Sequence, residues 1–421
     1  MLKPELENAY ISILREELVP ATGCTEPIAI AYAAARLRAL LGAAPERVLA
    51  EVSGNMIKNA KSVVVPSTGG MKGIPAAIAA GIVAGDENAA LQVIASVPEE
   101  KHAEIAAYVA NTPIETVCSD TTRMLDIILT GYLGEHKALV HTNVVREELD
   151  GKAVVEKEFS DSAEDSLTDK SVLNVKDILE FANTVDLSKV SDMLEKQLTC
   201  NLAVAEEGLR GNWGANIGST LLAEYPADIK IEARAWAAAG SDARMSGCEM
   251  PVVIVSGSGN QGITASVPVA RYAMHLGVSR EKLYRALLVS DLITAEQKAG
   301  IGRLSAYCGA VSAGVGSGAG IAYLLDGSYE AIANTVRNAV AILSGTICDG
   351  AKPSCAAKIA EAVDAGIMGY NMYKSGNNFH GGDGIVGRDV DTTVANIGVL
   401  AREGMRQTDK TILNIMLTRC D

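Results

Sequence analysis

The stretch LSAYCGAVSAGVGSGAGIAYLL, residues 304–325, runs twenty-two positions without a charged side chain. That is long enough for a membrane span. However, Gly, Ala and Ser dominate it and Leu is scarce. It reads instead as a helix buried inside a soluble protein, with neighbouring helices packed closely around it. The composition of the whole chain agrees. Of 421 residues, 48% are apolar but only 4% are aromatic, and glycine numbers 40, a mixture suited to helices that meet through small side chains.

Working outward, residues from about 174 to the C-terminus keep this helical texture with Gly punctuation, except PVVIVSGSGNQG at 251–262. Residues 4–42 read as two helices broken at VPATGCTEP, where two prolines bracket a turn. Between these parts lies a different texture. VLAEV at 48–52 reads as a strand. NMIKNAKSVVVPSTGG at 55–70 reads as a short helix, a strand and a Gly-ended loop, and 75–84 as an Ala-rich helix. LQVIASV (91–97), LDIILTGYL (125–133), KALVHTNVVREEL (137–149) and AVVEKEF (153–159) are β-type runs, with turns at Gly134–Glu135 and Asp150–Gly151. Asp-Gly between alternating runs is a hairpin signal. The acidic, Ser-rich residues 159–172 suit an exposed connection.

The chain exceeds what one core usually supports. We therefore expect an α+β protein. A mainly helical domain, residues 1–45 plus 173–421, would carry the functional site, and a smaller α+β domain, 46–172, would be inserted into it. No internal repeat is visible.

A formal net charge of −14 argues against nucleic-acid binding, which calls for a basic face. The first twenty residues carry several acidic side chains and no continuous apolar core, so they read as a helix rather than a secretory signal. Eight cysteines in a chain of this length are no disulfide framework. The expectation is a reducing, cytoplasmic setting, where clustered thiols point to metal binding or catalysis.

Three thiols stand out. Cys308 lies in RLSAYCGAVSAG, and Cys348 and Cys355 lie in GTICDGAKPSC, forty and seven positions further on. Their surroundings are rich in Gly, Ala and Ser, with few charges nearby. Three thiolates can hold an iron–sulfur cluster and leave one iron without a protein ligand, although this spacing fits no zinc ribbon or ferredoxin, and three buried core thiols would look the same. Cys118, Cys200, Cys248 and Cys420 read as core or surface thiols.

Other segments carry candidate polar groups. In PATGCTEP (20–27), Cys24 precedes Thr25 and Glu26 at a helix start, a place that depresses thiol pKa or binds an anion; an ordinary capped loop is the alternative. Asn55, Lys58 and Asn59 fall one helical turn apart and would share a face, either gripping a carboxylate or facing solvent. GSGNQG, Gly257 to Gly262, matches a dinucleotide fingerprint, but the required second strand with its acidic end is missing. A loop whose amides bind a small carboxylate is the better reading, with Ser258, Gly259, Asn260 and Gln261 as candidates. NNFHGGDGIVGRDVD (377–391) is either an active-site lid or a turn.

Together, TGCTEP, GNMIKNA, VPSTGG, SGSGNQG, the Cys308 segment, CDGAKPSC and GGDGIVG resemble the iron–sulfur-dependent L-cysteine desulfidase and L-serine dehydratase α-chain family, in the same order and over nearly the whole chain. The resemblance implies a [4Fe–4S] cluster on Cys308, Cys348 and Cys355. It also implies β-elimination from a small amino acid. Within that reading Cys24, as base or alternatively as a fourth iron ligand, and Lys58 are our catalytic candidates, with Thr25, Glu26, Asn55, Asn59 and the 258–261 loop around the substrate. The chain departs from the dehydratases in a shorter gap between the last two cysteines and in ATGCTEPIA where they carry a His-containing loop. Both departures point to the desulfidase branch. Serine dehydration with the same cluster is the alternative, and a non-enzymatic thiol- or metal-binding sulfur-handling protein the second. No nucleic-acid or membrane partner is expected, and a homo-oligomer is left open.

Overall fold

Residues Gly309–Leu325 form a helix in which every residue from Ala310 to Leu324 is buried. It is the charge-free stretch, and its glycines explain its place. A Cβ on Gly318 would come within 2.6 Å of the Gly366 Cα on a neighbouring helix, so the two backbones touch where neither residue has a side chain. On another side Gly316 sits against Ser290 and Thr294.

The computed structural model describes the chain except residues 1, 23–24, 90–91, 96, 122, 124, 143–145, 157–166, 303–304 and 419–421. In order come α1 (Pro4–Glu17), β1 (Pro20–Thr22), α2 (Thr25–Leu41), β2 (Arg47–Val52), α3 (Gly54–Ala60), α4 (Gly73–Ala84), α5 (His102–Asn111), β3 (Ile114–Cys118), β4 (Ile127–Leu133), β5 (His136–His141), β6 (Arg146–Leu149) and β7 (Lys152–Glu156). Then follow α6 (Val175–Thr184), α7 (Ser191–Arg210), α8 (Ile217–Glu224), α9 (Ile229–Met245), β8 (Pro251–Val253), α10 (Gly259–Leu276), α11 (Arg280–Ile301), α12 (Gly309–Leu325), α13 (Tyr329–Ile342), α14 (Cys355–Lys374), α15 (Val390–Val399) and α16 (Arg406–Thr418). Helices take 62% of the described residues, and the architecture is mainly helical α+β, as expected. Among the described residues no helix is long and apolar enough to cross a membrane.

Six strands form one sheet in the order β3-β2-β4-β5-β6-β7, with β2 and β3 parallel and the other pairs antiparallel. The parallel pair needs a crossover, which α3, α4 and α5 supply. Val48, Ala50 and Val52 alternate inward and share a buried cluster with Ile30, Ala34 and Leu37 of α2 and Ile78 of α4. The larger buried cluster gathers α1, α6, α7 and α10–α15 around α12. A two-stranded ladder pairs β1 with β8, Pro20 opposite Val253. Past the strand ends the Ile254 amide donates to the Val19 carbonyl at 2.9 Å, and the Ser256 amide donates to the Glu17 carboxylate at 2.5 Å.

Several expectations are corrected. In LQVIASV, the described residues 92–95 form turns, not a strand; Val93 and Ile94 are buried without entering the ladder. KALVHTNVVREEL is not one run but β5 and β6, paired with each other. The strand expected after α3 is reduced to a single bridge, Val64 to Lys72. The strand β3 and the helix α5 had not been read from the sequence. The Asp150–Gly151 hairpin is present between β6 and β7, with Asp150 and Gly151 both at positive φ.

Two outcomes follow from the core. Gly318→Leu forces a side chain into backbone contact with α14, and overpacking of this kind costs ~1–3 kcal/mol or more; thermal unfolding should move down by several degrees. Asp291 on α11 is buried, takes a hydrogen bond of 2.9 Å from Gln197, and is pushed up to about 7, chiefly by burial. A carboxyl so raised holds its proton more tightly folded than unfolded. Its contribution is therefore complete below the ordinary carboxylate range and lost as pH rises to about 7. Asp291→Asn should flatten the fall in melting temperature between about pH 4 and about pH 7.

Candidate active site

Cys308 is the N-cap of α12, and Cys355 is the first residue of α14. Cys348 is brought to them by backbone pairing. Tyr307 bridges Ile347 in antiparallel fashion. The Cys308 amide donates to Thr346 at 3.1 Å and the Cys348 amide to Ala306 at 2.6 Å. Two segments forty residues apart are thus clipped together beside two helix starts. The loop after Cys348 turns through Gly350, at φ +94°. A Cβ there would overlap the Lys58 carbonyl oxygen, so the loop docks directly on α3.

All three thiols line one cavity of about 140 Å³. Glu26, Lys58 and Asn59 line it from α2 and α3, Ser258, Asn260 and Gln261 from the start of α10, and Arg244 and Lys298 from the ends of α9 and α11. The sequence candidates therefore converge, with exceptions. Asn55 is half-buried and does not line the cavity. Gly259 does not either; its missing side chain leaves room for Arg244. Cys24 and Cys420, and the side chain of Thr25, lie outside the described residues. None of residues 377–391 lines the cavity; there Asp383 accepts the His380 amide at 2.7 Å and Asp389 caps α15. Cys248 is buried, while Cys118 and Cys200 are half-buried.

GSGNQG is a tight turn feeding a helix. Ser256 and Gly257 both have positive φ, 49° and 76°, and Val255 and Ser258 exchange backbone hydrogen bonds across them. That is the primed-turn geometry favoured by Gly at its second central position. Gln261 then reaches over Gly309, where a Cβ would lie 2.6 Å from its Nε2.

Residues 88–414 match the serine dehydratase alpha chain family model. The chain belongs to the serine dehydratase alpha chain family. Similar relatives include a UPF0597 protein of Desulfitobacterium hafniense, 55% identical over 98% of this chain and 97% of the relative. Another, of Lachnoclostridium phytofermentans, is 51% identical over 97% and 99%, and one of Treponema denticola is 48% identical over 97% of each. The family match takes in the three cysteines, Arg244, the 256–261 turn and Lys298. Glu26, Lys58 and Asn59 fall before it, in the part shared with the UPF0597 relatives. Family membership makes the chain a dehydratase-like lyase.

Members of this family are typically iron–sulfur dependent, and the donor set of this cavity fits such a group. Burial is the main force raising the Cys308 thiol, to about 12; Cys348 and Cys355 push the same way and the Ala310 amide against it. Burial also raises Cys355, with Cys348 adding to it and the Lys352 backbone opposing. Burial thus holds Cys308 and Cys355 in the protonated form until a cationic centre replaces their protons. Among the described residues no three His, Cys, Asp or Glu groups converge on a single metal ion; a cluster takes each thiolate on a separate iron.

Positive charge surrounds the thiols. Lys298 is pulled down to about 8, mainly by burial, while Cys348, Cys308 and Glu17 pull it up; its ammonium donates to Gly302 at 2.7 Å. Arg244 donates to Asn260 at 3.2 Å, and Asn59 to Glu26 at 3.0 Å. Lys58, 3% exposed at its side chain, pairs with Asp409. Two buried polar atoms at the cavity, Gln261 Oε1 and the Tyr307 hydroxyl, have no partner among the described residues. Each such orphan costs ~1–3 kcal/mol, so a polar guest is favoured. Arg244, Lys298 and Tyr307 were missed from sequence; each is a single polar residue at the end of an apolar helical run or beside a cysteine.

Iron uptake by the apo-protein should release protons and weaken steeply as pH falls, because thiols must ionise to bind and burial raises Cys308 and Cys355. Titration of bound iron against pH checks this. Gly350→Ala should push the Cys348 loop off α3 and lower the iron retained after reconstitution, measured as iron per chain.

Proposed function

We propose that this chain is a β-eliminating lyase that converts L-cysteine to sulfide, pyruvate and ammonia, with Cys308, Cys348 and Cys355 holding a [4Fe–4S] cluster. One observation carries the reading: three undisulfided thiols share one small cavity with cationic side chains and unpartnered buried polar atoms. When bound, such a cluster supplies an iron without a protein ligand, a Lewis acid suited to a soft thiolate leaving group.

The chain's own residues do the rest. The ammonium of Lys58 and the guanidinium of Arg244 present charge to the substrate carboxylate. Glu26 and Gln261 Oε1 accept hydrogen bonds from its amino group. Lys58, held as an ion pair by Asp409, serves as an anchor rather than a base. Cys24, the residue before Thr25 in sequence, is our candidate for removing the α-proton, a role that stands on the sequence reading alone. Loss of that proton and of sulfide leaves aminoacrylate, which water converts to pyruvate and ammonia.

Serine dehydration is the second reading, favoured by the description of the matching family model. Anaerobic reconstitution with iron and sulfide, followed by pyruvate and sulfide assays, separates the two. The proposal expects pyruvate and sulfide in equal amounts from L-cysteine and at least ~10-fold lower kcat/KM for L-serine, a gap of about 1.4 kcal/mol in transition-state binding. Turnover of serine alone moves the chain to the dehydratase reading, and bound iron without product from either leaves a sulfur-handling protein. Cys24→Ala should abolish turnover and leave iron content unchanged. Loss of iron in that variant would instead make Cys24 a ligand.

A further inference from the structure

The C-terminal helix α16 lies across α3, the short helix that carries Lys58 and Asn59. Three of its residues make the contact. Leu413 fills the space above Gly54, where a Cβ would lie 2.5 Å from Leu413 Cδ2. Asp409 pairs with the Lys58 ammonium, and the Met416 carbonyl accepts from Lys61. Positions 409, 413 and 416 recur at helical spacing, so one stripe of α16 makes all three contacts.

The charge pair is asymmetric. Lys58 is buried at its side chain, 3% exposed, while Asp409 is 36% exposed. A buried ammonium has to be paired, and Asp409 is the carboxylate that pairs it. Lys58 lines the cavity and Asp409 does not. An ammonium has three donors, so one can serve Asp409 while another faces the cavity.

We propose that Asp409 is a positioning residue for substrate binding. It holds the Lys58 ammonium in place from behind, so that the amino acid's α-carboxylate meets a fixed charge instead of a mobile one. The last helix is thereby part of the binding site, although it contributes no side chain to the cavity. This inference rests on the assignment of Lys58 as the carboxylate anchor, and its test is chosen to be independent of turnover.

L-Alanine has the α-carboxylate and α-amine but no leaving group. Its binding to reconstituted protein, and to apo-protein, can be measured by calorimetry alongside alaninamide, which lacks the carboxylate charge. Asp409→Asn should weaken L-alanine binding by ~10-fold or more, the loss expected for a charge-assisted anchor, and leave alaninamide binding within about twofold. Asp409→Glu should restore most of it. In a Lys58→Ala background, Asp409→Asn should have no further effect, since both act through one group. Leu413→Ala loosens the same helix without touching the charge and controls for stability; it should lower the melting temperature and spare the distinction between alanine and alaninamide. If Asp409→Asn lowers melting temperature but leaves L-alanine affinity unchanged, or if its effect adds to that of Lys58→Ala, Asp409 is a clasp for α16 and the proposal falls. If Lys58→Ala itself leaves alanine binding unchanged, it is the anchor assignment that fails.

Discussion

Backbone contact around α12 is the constraint on which the rest depends. With Gly314, Gly316 and Gly318 facing α14 and α11, the helices approach until main chains touch. Such approach leaves no slack at the ends of the helices. The N-terminus of α12 must begin just after Cys308, that of α14 at Cys355, and the last turn of α11 must bring Lys298 beside them. The thiols are therefore fixed by the same packing that forms the core. The helix starts at the site, those of α10, α12 and α14, bring unsatisfied amides and positive dipole ends to one place, which suits thiolates and carboxylates alike.

The cavity then sets opposing electrostatic demands against each other. Burial disfavours every charge in it, raising Cys308 and lowering Lys298. Each alone would neutralise. Together, thiolates and cations support one another, and the Ala310 amide adds to the thiolate side. On the proposed reading, the thiols would take a cationic metal centre, and Lys58, Arg244 and Glu26 a zwitterion. The orphaned Gln261 Oε1 and Tyr307 hydroxyl point the same way.

Much of this was legible in the sequence because the residues concerned break their local texture. Thiols among Gly and Ala, a Lys between two Asn, and a Gly-rich turn after an apolar strand are each conspicuous. The charge-free stretch correctly read as a buried helix, since small residues signal backbone contact. Arg244 and Lys298 were not legible, because a single cation near the end of a helix looks like a solvated tip; only tertiary packing turns it inward. The strand β3 was hidden because its five residues pair in parallel with β2 across more than sixty positions, a contact that leaves no local signature. LQVIASV failed for the opposite reason. Its β-branched residues satisfy burial, not a ladder, and periodicity alone cannot tell these apart.

The account's central claim is that Cys308, Cys348 and Cys355 act as one ligand set, and the most direct measurement of it is iron and acid-labile sulfide per chain after anaerobic reconstitution, for the wild type and for each Cys→Ala variant. The account predicts roughly four of each per wild-type chain, and near-complete loss on removing any one of the three. Cys248→Ala should have no effect. Stoichiometric iron in all three variants, or none in the wild type, would contradict it and return the three thiols to the core.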